Sequence, residues 1–358
     1  MRGSAHHTRS GRTALLLAFG AWLAACGSAG AGTISGTTRY EDRPVTNSGF
    51  GTSQFLPCRF NQVEIVLSDA TVLGSGSTDE SGNYSVTVPD RGTQTLFLRV
   101  YASQLTGNFR LVVANNNTAQ ATHTARSQNQ SVNTNLASTI DIDIPVASAA
   151  GAFNIFDQGV KCQQLIRTLT GQVPPRLTFF WEVGSTNGTF FQPSLNAIFL
   201  LGASSDTDEY DDDVIIHETG HYVQANFSRD DSPGGQHAQS DEHQDLRVAW
   251  SEGSAYWWSG AVQGKAEQRD ITGSGVSFFE METPSNSALA TGPDTETSVE
   301  SILWDLFDTS STSDSSPGTD DDSISLTDGT DRIFDVMAQQ FGSGRDTTFE
   351  NFYQGWFR

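Results

Sequence analysis

The chain of 358 residues is long enough for two domains, and its formal net charge is −22. Only 20 Lys and Arg stand against 42 Asp and Glu. This balance disfavours binding to nucleic acids or to anionic membrane surfaces, because both require clustered basic side chains. Three cysteines are too few for a scaffold held by many disulfides, whereas 36% apolar residues suffice for buried cores.

The first 25 residues have the pattern of an export signal. Arginines without any acidic residue precede an apolar run at 14–25, which is too short to cross a bilayer as a mature helix. The run closes with the sequence Leu23 to Gly27, LAACG, which resembles the lipobox of bacterial lipoproteins. The resemblance implies that lipid-modified Cys26 anchors the exported protein to the bacterial cell envelope, at the outer membrane or the cell surface. Simple soluble secretion, with release of the protein, is the alternative.

Two further cysteines would then lie in an oxidising compartment. Cys58 belongs to the first half of the chain and Cys162 to the second. A disulfide that joins the two halves and a pair of separate free thiols are both compatible with this placement.

An antiparallel β-sandwich is predicted for the N-terminal part, because short alternating or β-branched runs are separated by Gly, Asn and Asp. Within the segment Gly76 to Val88, the residues Asp79, Gly82 and Asn83 predict a turn between two strands. This segment resembles the tight hairpin of carboxypeptidase-regulatory-like β-sandwich domains, a common accessory module. The likeness covers most of residues 33–110 and implies no particular function.

A polar linker is predicted to follow these strands. The stretch Ala114 to Ser138 is rich in Asn, Thr, Gln and Ser, and it contains His123, which we expect to be inert. The alternating residues Ile140, Ile142 and Ile144 predict a last strand. We therefore place a signal peptide at 1–25, the β-sandwich with its linker at 26–148, and a second domain at 149–358.

The second domain is predicted to contain a small sheet and mostly helices, which makes the fold class α+β. Apolar residues recur at helical spacing just after Ala150. Further along, the apolar pattern predicts strands at Leu177 to Val183 and Ala197 to Leu201, and helices at Val214 to Phe227, Leu246 to Val262, Ser298 to Phe307, Arg332 to Phe341 and Phe349 to Trp356.

The first of these helices carries the motif H-E-x-x-H within VIIHETGHYV. Four residues make about 1.1 helical turns, so His217 and His221 project from one face and can bind one Zn²⁺ ion. Glu218 lies about 100° round the helix from His217, where it can reach a water at the metal as general base. A solvated helix face is the alternative, but the apolar neighbours make unpaired charges there costly.

A catalytic zinc usually has three protein ligands, so a third must come from elsewhere. The metzincin continuation is excluded, because Gln224 and Phe227 stand where that class needs Gly and His. The segment Ala249 to Trp257, AWSEGSAYW, resembles the E-G-x-A ligand helix of gluzincin zinc metallopeptidases. Carried over, the resemblance implies that Glu252 is the third ligand and that Gly253 and Ala255 allow the two helices to approach closely. A surface carboxylate is the alternative for Glu252.

The gluzincin resemblance spans roughly Phe153 to Phe307 and implies a zincin-like catalytic domain. Tyr256 stands where thermolysin-like enzymes carry Asp, and the GxMxN-type motif of gluzincin aminopeptidases is absent. The missing exopeptidase motif favours endopeptidase activity. We also expect the strand Asn196 to Leu201 to pair with an extended substrate, as edge strands do in zincins.

The loop between the two motifs offers a donor for the oxyanion of a tetrahedral intermediate. We favour His237, which follows the paired glycines of a GGxH stretch in the polar segment Ser228 to Asp245. The other candidates are His243, Tyr256 and Tyr353, and a solvated or packed side chain is an alternative for each of the four.

Acidic residues crowd the start of the H-E-x-x-H helix. We expect them to cap the helix and to interact favourably with its macrodipole, and a calcium site is the alternative. The run Asp320 to Asp322 is interpreted in the same way, as capping or solvated residues rather than a metal site. The residues crowded at the helix start are Asp206, Asp208, Glu209 and Asp211 to Asp213.

The sequence as a whole predicts an exported zinc metallopeptidase that acts on peptide or protein substrates and touches the membrane only through Cys26. One alternative is a zinc hydrolase that acts on a non-peptide amide. Another is a cell-surface binding or adhesion lipoprotein with a structural or degenerate zinc site. Cleavage specificity and oligomeric state stay open.

Overall fold

A computed structural model describes residues 31–239, 241–282, 292–308 and 329–358 of the chain. The predicted signal segment with Cys26 and the run Asp320 to Asp322 lie outside these residues. The strands are β1 (Ala31–Asp42), β2 (Val45–Thr46), β3 (Gly49–Phe50), β4 (Gln54–Pro57), β5 (Gln62–Leu67), β6 (Val72–Ser77), β7 (Asn83–Pro89), β8 (Thr93–Tyr101), β9 (Ser103–Gln104), β10 (Leu111–Ala114), β11 (Thr124–Arg126), β12 (Gln130–Asn133), β13 (Ser138–Thr139), β14 (Ile142–Ile144), β15 (Leu177–Phe180), β16 (Phe190–Gln192), β17 (Ala197–Phe199), β18 (Gly202–Ala203), β19 (Asp206–Thr207), β20 (Glu267–Thr272) and β21 (Gly275–Glu280). The helices are α1 (Ala150–Thr170), α2 (Asp212–Phe227), α3 (Leu246–Gln263), α4 (Glu296–Phe307), α5 (Gly329–Gly342) and α6 (Phe349–Trp356).

Two five-stranded sheets form the N-terminal part. In the first, β1 pairs antiparallel with β4 and β7 and parallel with β13 and β14. In the second, all pairs are antiparallel, with β8 next to β5, β11 and β12. Along β7, buried residues such as Val86 and Val88 alternate with exposed ones, and the buried side chains of both sheets share one hydrophobic core. The predicted α+β class is confirmed, with mostly antiparallel sheets at the N-terminus and helices in the C-terminal part; the parallel pairs of β1 with β13 and β14 depart from the purely antiparallel arrangement that was predicted.

The predicted linker at Ala114 to Ser138 is wrong, because β11 and β12 lie inside it and both pair with β8. Each of these strands has one buried apolar side chain, Ala125 in β11 and Val132 in β12. A single apolar residue per strand gives no alternating pattern, which is why the composition indicated a loop. His123, in the same stretch, is part-buried, and its Nε2 atom lies 2.8 Å from the carbonyl oxygen of Trp181.

The turn at Asp79 forms, but it does not close a hairpin. Asp79 Oδ1 accepts hydrogen bonds from the backbone amides of Ser81 and Asn83. The strands on either side enter different sheets, because β6 pairs with β5 and β7 pairs with β1. The predicted tight hairpin is therefore wrong, and the turn connects the two layers of the sandwich.

A third five-stranded sheet, in the order β16-β17-β15-β10-β9, lies beside the helices. Its inner strands β10, β15 and β17 are parallel, and each outer strand is antiparallel to its neighbour. Residues 103–114 thus contribute two strands to the sheet of the helical part. The strand at Ala197–Phe199 lies between β15 and β16, so the prediction that it is an edge strand is wrong. The edge is β16.

Helices α2 and α3 pack closely because one residue at their contact has no side chain. A Cβ atom on Gly220 would lie 2.7 Å from the Cα atom of Ala255. Gly253 serves a different contact from the one expected, because a Cβ atom there would lie 2.6 Å from Cβ of Val299 in α4. Close approach of α2 and α3 therefore depends on Gly220 and Ala255, while Gly253 lets α4 approach α3.

Cys58 and Cys162 are both buried and both free, which decides between the two alternatives for this pair. The Sγ atom of Cys162 lies 2.9 Å from the hydroxyl oxygen of Thr219 in α2. Burial raises the pKa of both thiols, so neither has the character of a reactive thiolate. Among the helices of the described residues, none is long and apolar enough to span a membrane.

Candidate metal centre

Helix α2 presents the two histidines of the motif side by side. Its apolar residues Ile215, Ile216 and Tyr222 are fully buried, which fixes the rotation of the helix about its axis. His217 and His221 lie one turn apart, with ring centroids 5.0 Å apart and ring planes nearly perpendicular. Both imidazoles therefore project from the face that meets α3.

Helix α3 brings Glu252 between these imidazoles. Its Oε2 atom lies 3.2 Å from Nε2 of His217 and 3.3 Å from Nε2 of His221. His217 and Glu252 are almost fully buried. Residues 35 and 31 positions apart in sequence thus converge on one carboxylate oxygen because α2 and α3 pack closely at Gly220.

These separations fit a zinc ion. Zinc binds nitrogen and oxygen at about 2.0 to 2.1 Å, and in a tetrahedron this sets ligand atoms about 3.3 Å apart. The two separations from Glu252 Oε2 match that spacing. Two imidazole nitrogens and a carboxylate oxygen are also the donor types that zinc prefers. The donor types of these three residues fit zinc, and if all three bound it, one position would be left for water or substrate.

Electrostatics at the centre favour a bound cation. Burial alone would raise the pKa of the Glu252 carboxyl, but the charge of His221 and hydrogen bonds from both imidazoles hold that pKa well below its usual range. Burial would lower the pKa of His221, yet the charge of Glu252 outweighs it and raises the pKa to about 9. Without metal, a protonated imidazole compensates the buried carboxylate, and zinc would supply that compensation instead.

Glu218 lies beside the histidines and is buried. One of its carboxylate oxygens and one nitrogen from each of His217 and His221 all lie within 4.8 Å of one another. Its Oε2 atom has no hydrogen-bond partner within the described residues. A buried carboxylate oxygen without a partner is costly, so this atom is available for a water or substrate group at the metal.

The centre opens into a cleft of about 790 Å³. The cleft is lined by residues of the edge strand β16, of β20 and β21, and of the face of α2 that carries His217 and His221. The aromatic residues Phe190, Phe191, Tyr256 and Phe279 give it apolar walls. A groove with apolar walls and a few convergent polar groups is typical of a small-molecule or peptide site.

His237 is held at the rim of the centre by a buried carboxylate. Its Nδ1 atom donates a hydrogen bond of 2.8 Å to Oε1 of Glu296, and its Nε2 atom lies 3.5 Å from Oε1 of Glu252. The hydrogen bond to Glu296 raises the pKa of His237, which favours the protonated imidazole. Glu296 is itself fixed, because it also accepts a hydrogen bond of 2.7 Å from Nε2 of Gln244.

The other oxyanion candidates divide between cleft and surface. The ring of Tyr256 lies 4.2 Å from the ring of His217, between centroids, and Tyr256 lines the cleft. His243 is exposed and pairs with Asp294 at 2.8 Å. Tyr353 is exposed on α6. His243 and Tyr353 are not among the residues that line the cleft.

Two residues that orient the histidines were not identified from the sequence. Ser251 Oγ lies 3.2 Å from Nδ1 of His221, and Glu296 holds His237. Glu296 and Glu300 lie one turn apart on α4 and are both almost fully buried. Two glutamates four residues apart on one amphipathic helix were the available signal, but the predicted helix began only at Ser298.

Asp212 and Asp213 lie in the first turn of α2, as expected for acids that interact with the macrodipole, but the expected side-chain cap does not form. Asp211 occupies the N-cap position, but its side chain makes no cap hydrogen bond. Instead, the side chains of Asp211 and Asp213 accept hydrogen bonds of 2.8 Å from the backbone amides of Ile271 and Arg269 in β20. The neighbouring strand offers free backbone donors that compete with those of the helix.

Comparison with known proteins gives one family match. The family model of the Mycolysin C-terminal domain matches residues 170–357, a range that contains all the metal-centre residues described above. An uncharacterized protein of Archaeoglobus fulgidus is 32% identical over 137 residues, which cover 38% of this chain and 37% of that protein. The alignment therefore spans little more than a third of the length of that relative.

Two solved structures show weak similarity. A 9R-lipoxygenase from Cyanothece PCC8801 is 12% identical and has a TM-score of 0.18, with coverage of 44% of this chain and 27% of that chain. The major plantain pollen allergen Pla l 1 is 13% identical and also has a TM-score of 0.18, and the match covers 33% of this chain and 95% of the allergen. At these TM-scores neither similarity carries an argument.

Proposed function

Because the chain belongs to the Mycolysin C-terminal domain family, we propose that it is a zinc-dependent metallopeptidase with His217, His221 and Glu252 as its metal ligands. Family membership favours a zinc peptidase. The observation that carries the assignment of ligands is the convergence of two Nε2 atoms on Glu252 Oε2 at 3.2 and 3.3 Å. Peptide or protein chains are the proposed substrates, and the absent exopeptidase motif supports endopeptidase action.

Each residue of the centre has a distinct role in this proposal. Zinc held by His217, His221 and Glu252 would supply Lewis-acid chemistry, namely polarisation of the scissile carbonyl and a lower pKa of water. Glu218 accepts the proton of the attacking water and returns it to the leaving amine. His237 donates a hydrogen bond to the oxygen that becomes negatively charged, and Glu296 keeps its imidazole oriented and protonated.

The edge strand β16 is the proposed binding surface for the substrate backbone. It pairs with β17 on one side only, and Phe190 and Phe191 line the cleft. An extended peptide that adds to this edge would run along the cleft past the metal centre. The aromatic walls favour apolar side chains next to the cleaved bond.

Export and anchoring are proposed on the sequence alone. The segment Leu23 to Gly27 supports removal of residues 1–25 and attachment of lipid to Cys26. We accordingly propose that the peptidase acts outside the cytoplasm, on the bacterial cell envelope, and that its contact with the membrane is the lipid.

The decisive variant is Glu218→Gln, which keeps the shape of the side chain and removes the base. We expect it to retain one zinc per chain, measured by mass spectrometry of the metal, and to lose about 10²-fold or more in casein cleavage. Glu350→Gln is the matched control, because Glu350 is exposed on α6. Parental activity in Glu218→Gln would refute the peptidase mechanism.

The same assay separates the alternatives. A binding or adhesion protein with a structural zinc would hold the metal, cleave nothing, and be unaffected by Glu218→Gln. A hydrolase of non-peptide amides would leave casein intact but hydrolyse a small amide in a way that needs both zinc and Glu218.

A further inference from the structure

A group of acidic side chains lies on the wall of the cleft, apart from the zinc ligands. One carboxylate oxygen from each of Asp206, Asp208 and Asp270 lies within 4.8 Å of the others. Asp206 begins β19, Asp208 follows it, and Asp270 lies in β20. The hydroxyl of Thr189 donates a hydrogen bond to Asp208.

A fourth carboxylate is buried behind these three. Asp211 is fully buried, and its Oδ2 atom accepts the hydrogen bond from the amide of Ile271. Its Oδ1 atom is also buried and has no hydrogen-bond partner within the described residues. The Asp211 carboxyl lies within hydrogen-bonding reach of Asp270 and close to Asp208. A buried carboxylate oxygen without a partner, in a group close to two other carboxylates, requires a proton or a cation.

No basic side chain meets that requirement. Within the described residues, no Lys, Arg or His forms an ion pair with any of the four aspartates. The adjacent Arg269 is engaged with Glu267 at 2.8 Å. Burial and the neighbouring carboxylates raise the pKa of Asp208 to about 7 and that of Asp211 to about 9. These shifts express the cost of assembling the four charges without a counter-ion.

We propose that Asp206, Asp208 and Asp270, with the buried carboxylate of Asp211 next to them, bind one Ca²⁺ ion. All available donors are oxygens, which calcium prefers and zinc does not, and the group contains no His or Cys. Calcium accepts six to eight oxygen ligands in flexible geometry, so carboxylates from two strands and a turn can bind it together with water. A Lys or Arg side chain of a substrate carries a single charge and would leave most of the carboxylates uncompensated.

The ion would fix the start of the catalytic helix. The short segment that leads into α2 carries Asp206, Asp208 and Asp211. Asp270 lies in β20, which follows α3 in the sequence. A calcium ion between them ties β20 to the helix that carries His217. This role concerns stability and does not depend on the proposed peptidase activity.

The test uses the full chain, saturated with zinc, in the Glu218→Gln background, so that neither catalysis nor self-cleavage affects the result. In buffer freed of calcium by dialysis, isothermal titration with CaCl₂ should show one saturable site per chain. Calcium should also raise the midpoint of thermal unfolding, and Mg²⁺ at the same concentration should raise it less. Absence of saturable binding, or equal stabilisation by Mg²⁺, would overturn the proposal.

Two variants locate the site. Asp206→Asn and Asp270→Asn should each weaken calcium binding at least tenfold, while Asp335→Asn, on the exposed side of α5, should bind as the parent does. Removing one of four mutually repelling carboxylates should also leave both variants at least as stable as the parent in calcium-free buffer. A variant that does not fold would contradict the expected stability in calcium-free buffer. Undiminished calcium binding in both variants would place the ion elsewhere.

Discussion

At the scale of single residues, function depends on how buried carboxylates are compensated. Glu252 is compensated by two imidazoles, and Glu296 by His237 and Gln244. Glu300 differs, because burial and the charge of Glu296 raise its pKa well above the usual value and keep its carboxyl neutral.

Glu296→Gln and Glu300→Gln form a matched pair of variants, because Glu296 binds His237 and the carboxyl of Glu300 is neutral. Glu296→Gln removes the charge that raises the pKa of His237, so we expect a lower kcat, little change in KM, and unchanged zinc content. The alkaline limb of the pH profile should move to lower pH, because a protonated His237 is the proposed donor and its pKa falls. The decrease in kcat of Glu296→Gln should be smaller than the decrease of roughly 10²-fold expected for His237→Ala.

Glu300→Gln is the control, since an amide resembles the neutral carboxyl already present there. It should keep the parental kcat and pH profile. If Glu296→Gln also keeps the parental pH profile, Glu296 does not position His237. A further loss on combining Glu296→Gln with His237→Ala would likewise show that the two residues act separately.

The H-E-x-x-H motif could be read from the sequence because helical spacing dictates which face its side chains share. Glu252 required a family resemblance, because nothing in the chain between His221 and Glu252 reveals that α2 and α3 pack together. Ser251 and Glu296 were missed because their partners come from other helices and loops. Contacts of this kind are set by tertiary packing, which a local pattern does not encode.

At the scale of elements, the contact between α2 and α3 decides whether the ligands meet. A Cβ atom on Gly220 would lie 2.7 Å from Cα of Ala255, which is closer than two non-bonded carbon atoms can approach. We expect Gly220→Ala to push the helices apart, to destabilise the fold by about 1 to 3 kcal/mol, and to weaken zinc binding. Denaturant unfolding and zinc titration measure the two effects.

Gly342→Ala is the control for helix propensity, because a Cβ atom at the end of α5 meets no other atom within 4 Å. It should be neutral or slightly stabilising. Parental zinc affinity in Gly220→Ala would show that the close approach is not what brings Glu252 to the histidines.

Long helices were predictable from sequence within a few residues of their ends, as the predicted Val214 to Phe227 and the observed α2 illustrate. Short strands were not. β11 and β12 each bury one apolar residue, so pairing with β8, rather than their own composition, makes them strands. The edge position of β16 was also missed, because strand order in a sheet is not a local property of the chain.

At the scale of the whole molecule, the two halves share a sheet and a core. β10 lies parallel to β15, and Leu111 packs where Gly159 of α1 leaves space. Arg59 of the N-terminal part forms a largely buried ion pair of 2.6 Å with Asp157 of α1. These contacts cross the predicted domain limit at residue 148.

A shortened chain of residues 149–358 should therefore fold poorly. It would lack β9 and β10, expose the edge of β15, and leave Asp157 without Arg59. We expect it to be aggregated or to unfold at a much lower temperature than the full chain, as measured by circular dichroism and light scattering. A soluble fragment with the parental unfolding temperature and zinc affinity would establish an independent domain.

The central claim is that a zinc ion sits among His217, His221 and Glu252 with one position left open beside Glu218. Anomalous diffraction at the zinc absorption edge, from crystals of the zinc-loaded protein, tests it most directly. The account predicts one strong peak within about 2.0 to 2.2 Å of the two Nε2 atoms and a Glu252 oxygen, with no fourth protein ligand. A peak at another site, or a fourth protein ligand that closes the shell, would contradict it.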